Sequence, residues 1–298
     1  MPSVHSKIKA LLLASRPKTL VAAILPVICG SALGSHDSKF FNKTVFVLAL
    51  LSTIFIQIAT NYFNDAIDFK KGSDNSNRLG PKRMTQSGIM NYSEMMKWGV
   101  IMLLLSLAFG LPLVFSHGWG ILLIGIVSLF FSYSYTGGPF PLAYLGLGEL
   151  FVFIFFGLIA VGGSYFLQAQ QISSHSLLLG SQLGLFSTIL ISINNLRDIN
   201  EDSQNKKITF AVRLGQNKMK LFILNLHIFP YLLLHFWKTE IPLCAYLPLL
   251  VLPLSIFISS KVLFNEPSRY FNKLLALSAL QYLLFSLFFV IGLLWSNH

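Results

Sequence analysis

Charge is what this sequence has least of. Only 11% of its 298 residues are Asp, Glu, Lys or Arg, against about 25% in an ordinary soluble domain, and that excludes a water-soluble globular enzyme. Acids are the scarcer sign, 11 against 22 Lys and Arg, for a net charge of +11. Cysteine is nearly absent. Cys29 and Cys244 each sit inside an apolar run, so neither a disulfide framework nor a thiolate metal site has anything to build on, and both read as small core residues. What is plentiful is apolar surface: 54% hydrophobic residues, 27 of them Phe. That excludes a disordered or fibrous chain and leaves lipid as the packing medium.

About 20 consecutive apolar residues cross a bilayer as a helix. The sequence holds nine such stretches, near 19–35, 44–64, 95–115, 118–135, 145–166, 176–196, 219–237, 241–260 and 274–295. The fold expected is all-α: a polytopic bundle of nine transmembrane helices forming a single integral membrane domain over residues 1–298. Ahead of the first stretch, the apolar run Ala10 to Ala14 is broken by Arg16-Pro17-Lys18 and is too short for a secretory signal. Residues 4–14 read instead as a helix on the membrane surface, with Val4, Ile8 and Leu11 toward lipid.

Lys and Arg accumulate in cytoplasmic loops, which gives an independent test of the count. Threading nine spans with the N-terminus inside puts nineteen of the 22 basic residues on the inner side. Only Lys39, Lys43 and Lys238 fall outside. The expected location is therefore the cytoplasmic (inner) membrane, N-terminus cytoplasmic and C-terminus outside. Basic loops so placed face a lipid bilayer rather than nucleic acid.

The acids cluster more tightly. Three of the eleven fall in Asn61-Tyr62-Phe63-Asn64-Asp65-Ala66-Ile67-Asp68 and the loop to Asp74, and three in Asn194-Asn195-Leu196-Arg197-Asp198 and on to Glu201-Asp202. Each cluster closes an apolar span at its inner end, the first after span 2 and the second after span 6. Helical spacing puts 61, 64, 65 and 68 on one face, and 194 or 195, 198, 201 and 202 on another. Like charges a turn apart repel, and carboxylates at a helix C-terminus oppose its dipole, so a counter-ion is needed. One solvated helix end capped by polar residues explains a single cluster; two matching clusters, each followed by a basic loop, ask for more.

Mg2+ is the counter-ion that fits, because it takes hard oxygen donors and is held by one or two carboxylates together with substrate phosphates. Asp65, Asp68, Asp198 and Asp202 are the candidate catalytic ligands, with Asn64 and Asn195 as neutral oxygen donors beside them. Asn61 and the basic Arg78, Lys82, Arg83, Arg197, Lys206, Lys207 and Arg213 are placed to grip phosphate oxygens. A diphosphate reached from within lipid points to a polyprenyl diphosphate.

On these residues the sequence resembles the UbiA superfamily of intramembrane prenyltransferases, nearest the branch that prenylates 1,4-dihydroxy-2-naphthoate in menaquinone synthesis. The matching stretches are Arg16-Pro17-Lys18-Thr19; Asn64-Asp65, Asp68, Gly72 and Asp74; Arg78, Gly80-Pro81 and Arg83; Tyr135-Thr136-Gly137-Gly138-Pro139; Gly146, Gly148-Glu149; and Asn194-Asn195, Arg197-Asp198 and Asp202. The likeness runs from about residue 15 to 215 and fades over the last three spans. It implies nine helices with Asp-rich motifs on helices 2 and 6, and Mg2+-dependent transfer of a polyprenyl group from its diphosphate to an aromatic acceptor. Many members carry a third Asp four residues after the one matching Asp68; here Gly72 stands there and Asp74 follows. Beyond the second motif the family shows a basic residue and a Thr, a pattern that Lys206, Lys207 and Thr209 fill.

The chemistry implied is ionisation of an allylic carbon–oxygen bond as charge develops on departing pyrophosphate. The cation needs a water-poor pocket with aromatic walls, for which Tyr62, Phe63, Tyr133, Tyr135, Phe140 and Tyr144 lie near the right helix ends. Ordinary lipid-facing packing explains any one of them equally well. Glu149 is the one acid within an apolar run, and an intramembrane carboxylate is a functional candidate by default, here for the acceptor or prenyl pocket. The alternatives are a family member using a benzoate or haem acceptor or a phytyl donor, and, from another class, a cation-coupled secondary transporter, whose site would sit near the midplane.

Overall fold

The computed structural model describes residues 4–73, 79–81 and 83–296, and among these all regular structure is helical. The chain opens with α1 (Val4–Ala14). It turns sharply at Arg16, whose φ of 50° lies in the left-handed region, into α2 (Pro17–Ser38). Pro17 at the first helical position gives up an N–H that has no intrahelical partner there. α3 (Lys43–Lys70) starts where the Asn42 side chain accepts from the Val45 amide at 3.1 Å, and runs 28 residues. α4 (Tyr92–His117) starts on a capping box between Asn91 and Glu94.

α5 (Trp119–Ser134) follows after Gly118. A loop with one 3-10 turn, Leu142–Tyr144, leads to α6 (Gly148–Phe153), which passes through a π-helical turn, Ile154–Ile159, into α7 (Ala160–Ala169). α8 (Ser174–Arg197) ends at Asp198, and the short α9 (Ile199–Gln204) and α10 (Phe210–Leu214) complete that loop. α11 (Gln216–Leu232), α12 (Pro242–Tyr246), α13 (Leu252–Phe264) and α14 (Phe271–Trp295) make up the remainder.

Among the described residues, eight rods are long and apolar enough to cross a membrane: Thr19–Ser38, Lys43–Lys70, Tyr92–His117, Gly148–Ala169, Ser174–Arg197, Gln216–Trp237, Pro242–Phe264 and Phe271–Trp295. The ninth expected span is α5, apolar but only 16 residues long. Side chains such as Leu104, Phe115, Phe130 and Leu250 stay exposed around the bundle, far more apolar surface than water tolerates. The chain is a multi-pass membrane protein.

The largest core gathers Cys29 and Leu33 of α2, Tyr165 of α7, Phe186 of α8 and Phe285 and Phe289 of α14. Both cysteines are free and buried, Cys29 here among apolar neighbours and Cys244 beside it, as small core residues should be. The π turn packs on α8 at a distance only glycine allows: a Cβ on Gly157 would lie 2.5 Å from the carbonyl oxygen of Gly180. This contact seats the π turn against the N-terminal half of α8.

α1 differs from the sequence reading in its orientation. Ile8, Leu12 and Leu13 face outward, while Leu11 turns inward with Ala10 and Ala14 against Tyr62 and Met95. The i, i+4 spacing of Ile8 and Leu12 sets the outward stripe. Tyr62 Oη donates to the Leu11 carbonyl at 3.0 Å, and Lys7 pairs with Glu94 of α4, so α1 is fastened to the bundle.

Candidate active site

The C-terminal ends of α3 and α8 bring the two acidic runs to one place. The first stays helical to Lys70, so Asn61, Asn64, Asp65 and Asp68 do share a face, and all four are buried. The second does not continue as one helix: the chain bends at Asp198, the shared cap of α8 and α9, while the Asp198 amide on the Asn194 carbonyl at 3.2 Å and the Asp202 amide on the Asp198 carbonyl at 2.8 Å keep the helical step across the bend. The bend swings Asp202 toward Asp68. Lys207 Nζ joins the two runs, 3.9 Å from Asp68 Oδ2 and 3.6 Å from Asp202 Oδ1. Arg83 comes to 3.6 Å from the same Asp68 oxygen.

The other acids are held by neighbours. Asp65 accepts from the Met84 and Thr85 amides at 3.0 and 2.8 Å, one on each oxygen, and so anchors the loop after α3. Asp198 is bound by Arg197 through Nε at 2.7 Å and Nη2 at 2.6 Å. The remaining Arg197 donors go to Asn194 and to Asn272 at the start of α14, and the residue is only 1% exposed. Arg197, expected at the diphosphate, ties α8 to α14 through these contacts. The Asn61 amide donates to the Ser15 carbonyl at 2.8 Å, bracing the turn between α1 and α2. The two lysines divide, with Lys207 among the carboxylates and Lys206 exposed, its φ of 56° turning the chain outward. Arg78, Lys82 and Asp74 lie outside the described residues. Arg213 packs beside Gly146.

Two residues that sequence reasoning did not assign to phosphate or metal stand at the centre. Tyr144 Oη lies 2.8 Å from both Asp68 Oδ1 and Ser73 Oγ. Its ring carries the Lys71 ammonium at 4.0 Å from the centroid and the Lys207 ammonium at 5.5 Å. Burial, and after it the Asp68 charge, push the Tyr144 phenol well above its ordinary value. Lys71 also donates to the Thr136 carbonyl at 2.8 Å, and burial lowers its ammonium against the opposing pull of Asp68. The Thr136 hydroxyl in turn bonds Asn64. The sequence signal was faint: Lys70-Lys71 follows the first acidic run directly, and Tyr144 sits in a loop far from it in the chain.

Next to this cluster an apolar cavity of about 260 Å³ opens between α2, α3, α4, α5 and the rod from α6 to α7. Val27, Ile56, Leu107, Phe131 and Phe155 line it, and Thr60 and Tyr135 mark its acidic end. Tyr135 is the one expected pocket tyrosine found there. Tyr62 is a strut to α1, and Tyr133 is 40% exposed with its edge toward Phe63, because it projects from the outer side of α5. Glu149, in the first turn of α6, is buried with Oε1 accepting from Asn195 Nδ2 at 2.9 Å.

Donor chemistry bears on a metal. Among the described residues no three His, Cys, Asp or Glu side chains converge into a cage. Two hard carboxylates, Asp68 and Asp202, meet with cationic neighbours, and that donor set suits a magnesium ion shared with phosphate oxygens rather than one enclosed by protein.

Such a bundle, with charge gathered where two spans end beside an apolar cavity, belongs to an enzyme working from within the bilayer. A model described as the UbiA prenyltransferase family matches residues 23–269, and the chain belongs to that family. It is a prenyltransferase. A 1,4-dihydroxy-2-naphthoate octaprenyltransferase of Haemophilus influenzae is 36% identical, over 98% of this chain and 97% of its own. Solved structures share the fold: a UbiA homolog from Aeropyrum pernix K1 in its apo form, with a TM-score of 0.70 at 17% identity over 90% of this chain and 97% of its own, and one from Archaeoglobus fulgidus bound to DMAPP and Mg2+, with 0.65 at 14% over 94% and 99%. The secondary-transporter reading is set aside by this membership.

Proposed function

We propose that this enzyme transfers a polyprenyl group from its diphosphate to 1,4-dihydroxy-2-naphthoate, with loss of carbon dioxide, at the inner face of the cytoplasmic membrane. The observation that carries the reading is the meeting of Asp68 and Asp202 around Lys207 at the end of an apolar cavity. The acceptor follows from the name borne by a relative matched over nearly its whole length. The Mg2+ and DMAPP of a neighbour with the same fold support a metal-held diphosphate.

Asp68 and Asp202, with Asn64, Asp65, Asn195 and Asp198 behind them, are the residues proposed to hold Mg2+. The ion supplies positive charge to the leaving diphosphate. Lys207, Arg83 and Lys71 add cationic contacts to oxygens the metal leaves uncovered. The cavity takes the first isoprene units and keeps water from the allylic carbon, and Tyr135 offers a ring face to the cation. As the carbon–oxygen bond breaks, its electron pair leaves with pyrophosphate; the acceptor ring supplies the pair for the new carbon–carbon bond, and its carboxylate departs as carbon dioxide.

Purified protein with labelled polyprenyl diphosphate and 1,4-dihydroxy-2-naphthoate should release carbon dioxide and form a prenylated naphthol in the presence of Mg2+. Chelation with EDTA should abolish the product. Full turnover in excess EDTA would sink the metal, and a strong preference for a benzoate would sink the acceptor.

A further inference from the structure

Glu149 has one oxygen accounted for and one not. It is 4% exposed; Oε1 takes the Asn195 amide at 2.9 Å, while Oε2 is enclosed and has no hydrogen-bond partner. Leaving a buried acceptor unsatisfied is costly, and native proteins rarely do so without a reason. The surroundings supply one. Tyr135, which lines the cavity, brings its hydroxyl close to Gly148, 3.0 Å from where a Cβ there would be. Tyr135 is also within electrostatic reach of Glu149, Asp68 and Asp202 together. Glu149 thus stands directly behind Tyr135, Phe151 and Val152 of the cavity wall, on the side where Asn195 and the second acidic run lie.

We propose that Glu149 orients the aromatic acceptor, its free Oε2 accepting a hydrogen bond from a ring hydroxyl while Asn195 locks the other oxygen. The inference rests on the reading above that the second substrate is a hydroxylated aromatic acid. It makes Asn195 a positioning residue, because its amide can only donate to Oε1 and so keeps the carboxyl from rotating its free oxygen away. A site built around such a bond discriminates strongly against an analogue lacking the hydroxyl.

The test is a cycle of Glu149→Gln against two deoxy acceptors, 1-hydroxy-2-naphthoate and 4-hydroxy-2-naphthoate. In the variant the amide oxygen stays toward Asn195 and an N–H faces the substrate, so shape is kept while polarity at that point reverses. Each hydroxyl also activates the ring electronically, equally in both proteins, so the ratio of ratios isolates the contact. For one of the two hydroxyls, its removal should cost wild type roughly tenfold or more in kcat/KM beyond what it costs the variant, with KM for polyprenyl diphosphate the same in both proteins. A ratio of ratios near one for both hydroxyls, with wild type active on the dihydroxynaphthoate, overturns the inference alone. A wild type that prenylates no dihydroxynaphthoate overturns the substrate reading and this inference with it.

Discussion

Two adjacent lysines carry different work. Lys207 sits between Asp68 and Asp202, whereas Lys206 is exposed on a left-handed turn. A charge-assisted contact is worth about 1.5–3 kcal/mol, so Lys207→Gln should raise KM for polyprenyl diphosphate roughly tenfold, and Lys206→Gln should leave it within about twofold. Steady-state kinetics on the two variants at saturating acceptor decide it; equal effects would refute the placement. The acids themselves were legible, because carboxylates a turn apart at the end of an apolar span are anomalous in any chain. The struts were not. Asn61, Tyr62 and Arg197 look like site residues in sequence, yet their partners Ser15, Leu11 and Asn272 lie up to 75 positions away. Tyr144 was read only as a pocket-wall aromatic and not as a partner of the acids, because its bond to Asp68 spans 76 positions.

Most helix ends were read to within about four residues, since hydropathy marks where a chain enters and leaves lipid, but α3 runs on to Lys70, beyond the 64 at which its apolar stretch ends. The bend at Asp198 and the π turn at Ile154–Ile159 left no such mark, because both depend on what packs beside them. At the π turn, that neighbour is α8. Gly157→Ala would force a Cβ to within 2.5 Å of the Gly180 carbonyl oxygen and 2.6 Å of Gly184 Cα, both backbone atoms that cannot swing aside. Overpacking of this kind costs about 1–3 kcal/mol. Melting in detergent should therefore show a lowered Tm for Gly157→Ala. Gly163→Ala, where the nearest atom is a flexible Ile124 methyl at 3.8 Å, should match wild type. Equal melting of the two would mean α8 and the π turn slide freely.

For the whole molecule, the inner-side excess of Lys and Arg makes a claim about direction. With Cys29 and Cys244 replaced by Ala, a Cys at exposed Lys206 should react with an impermeant maleimide only after the membrane is opened. A Cys at exposed Thr239 should react on intact spheroplasts. The reverse pattern would invert the topology.

α5 adds a consequence of its own. At about 1.5 Å per residue, its 16 residues reach roughly 24 Å, short of the about 30 Å hydrocarbon layer. One of its faces, with Ile121 and Phe131, walls the cavity, while Leu123 and Phe130 look out at lipid. A span shorter than the bilayer draws the lipid heads toward it. The expected consequence is a bilayer thinned along the partition between lipid and cavity, which would lower the headgroup of the proposed prenyl diphosphate toward the acids.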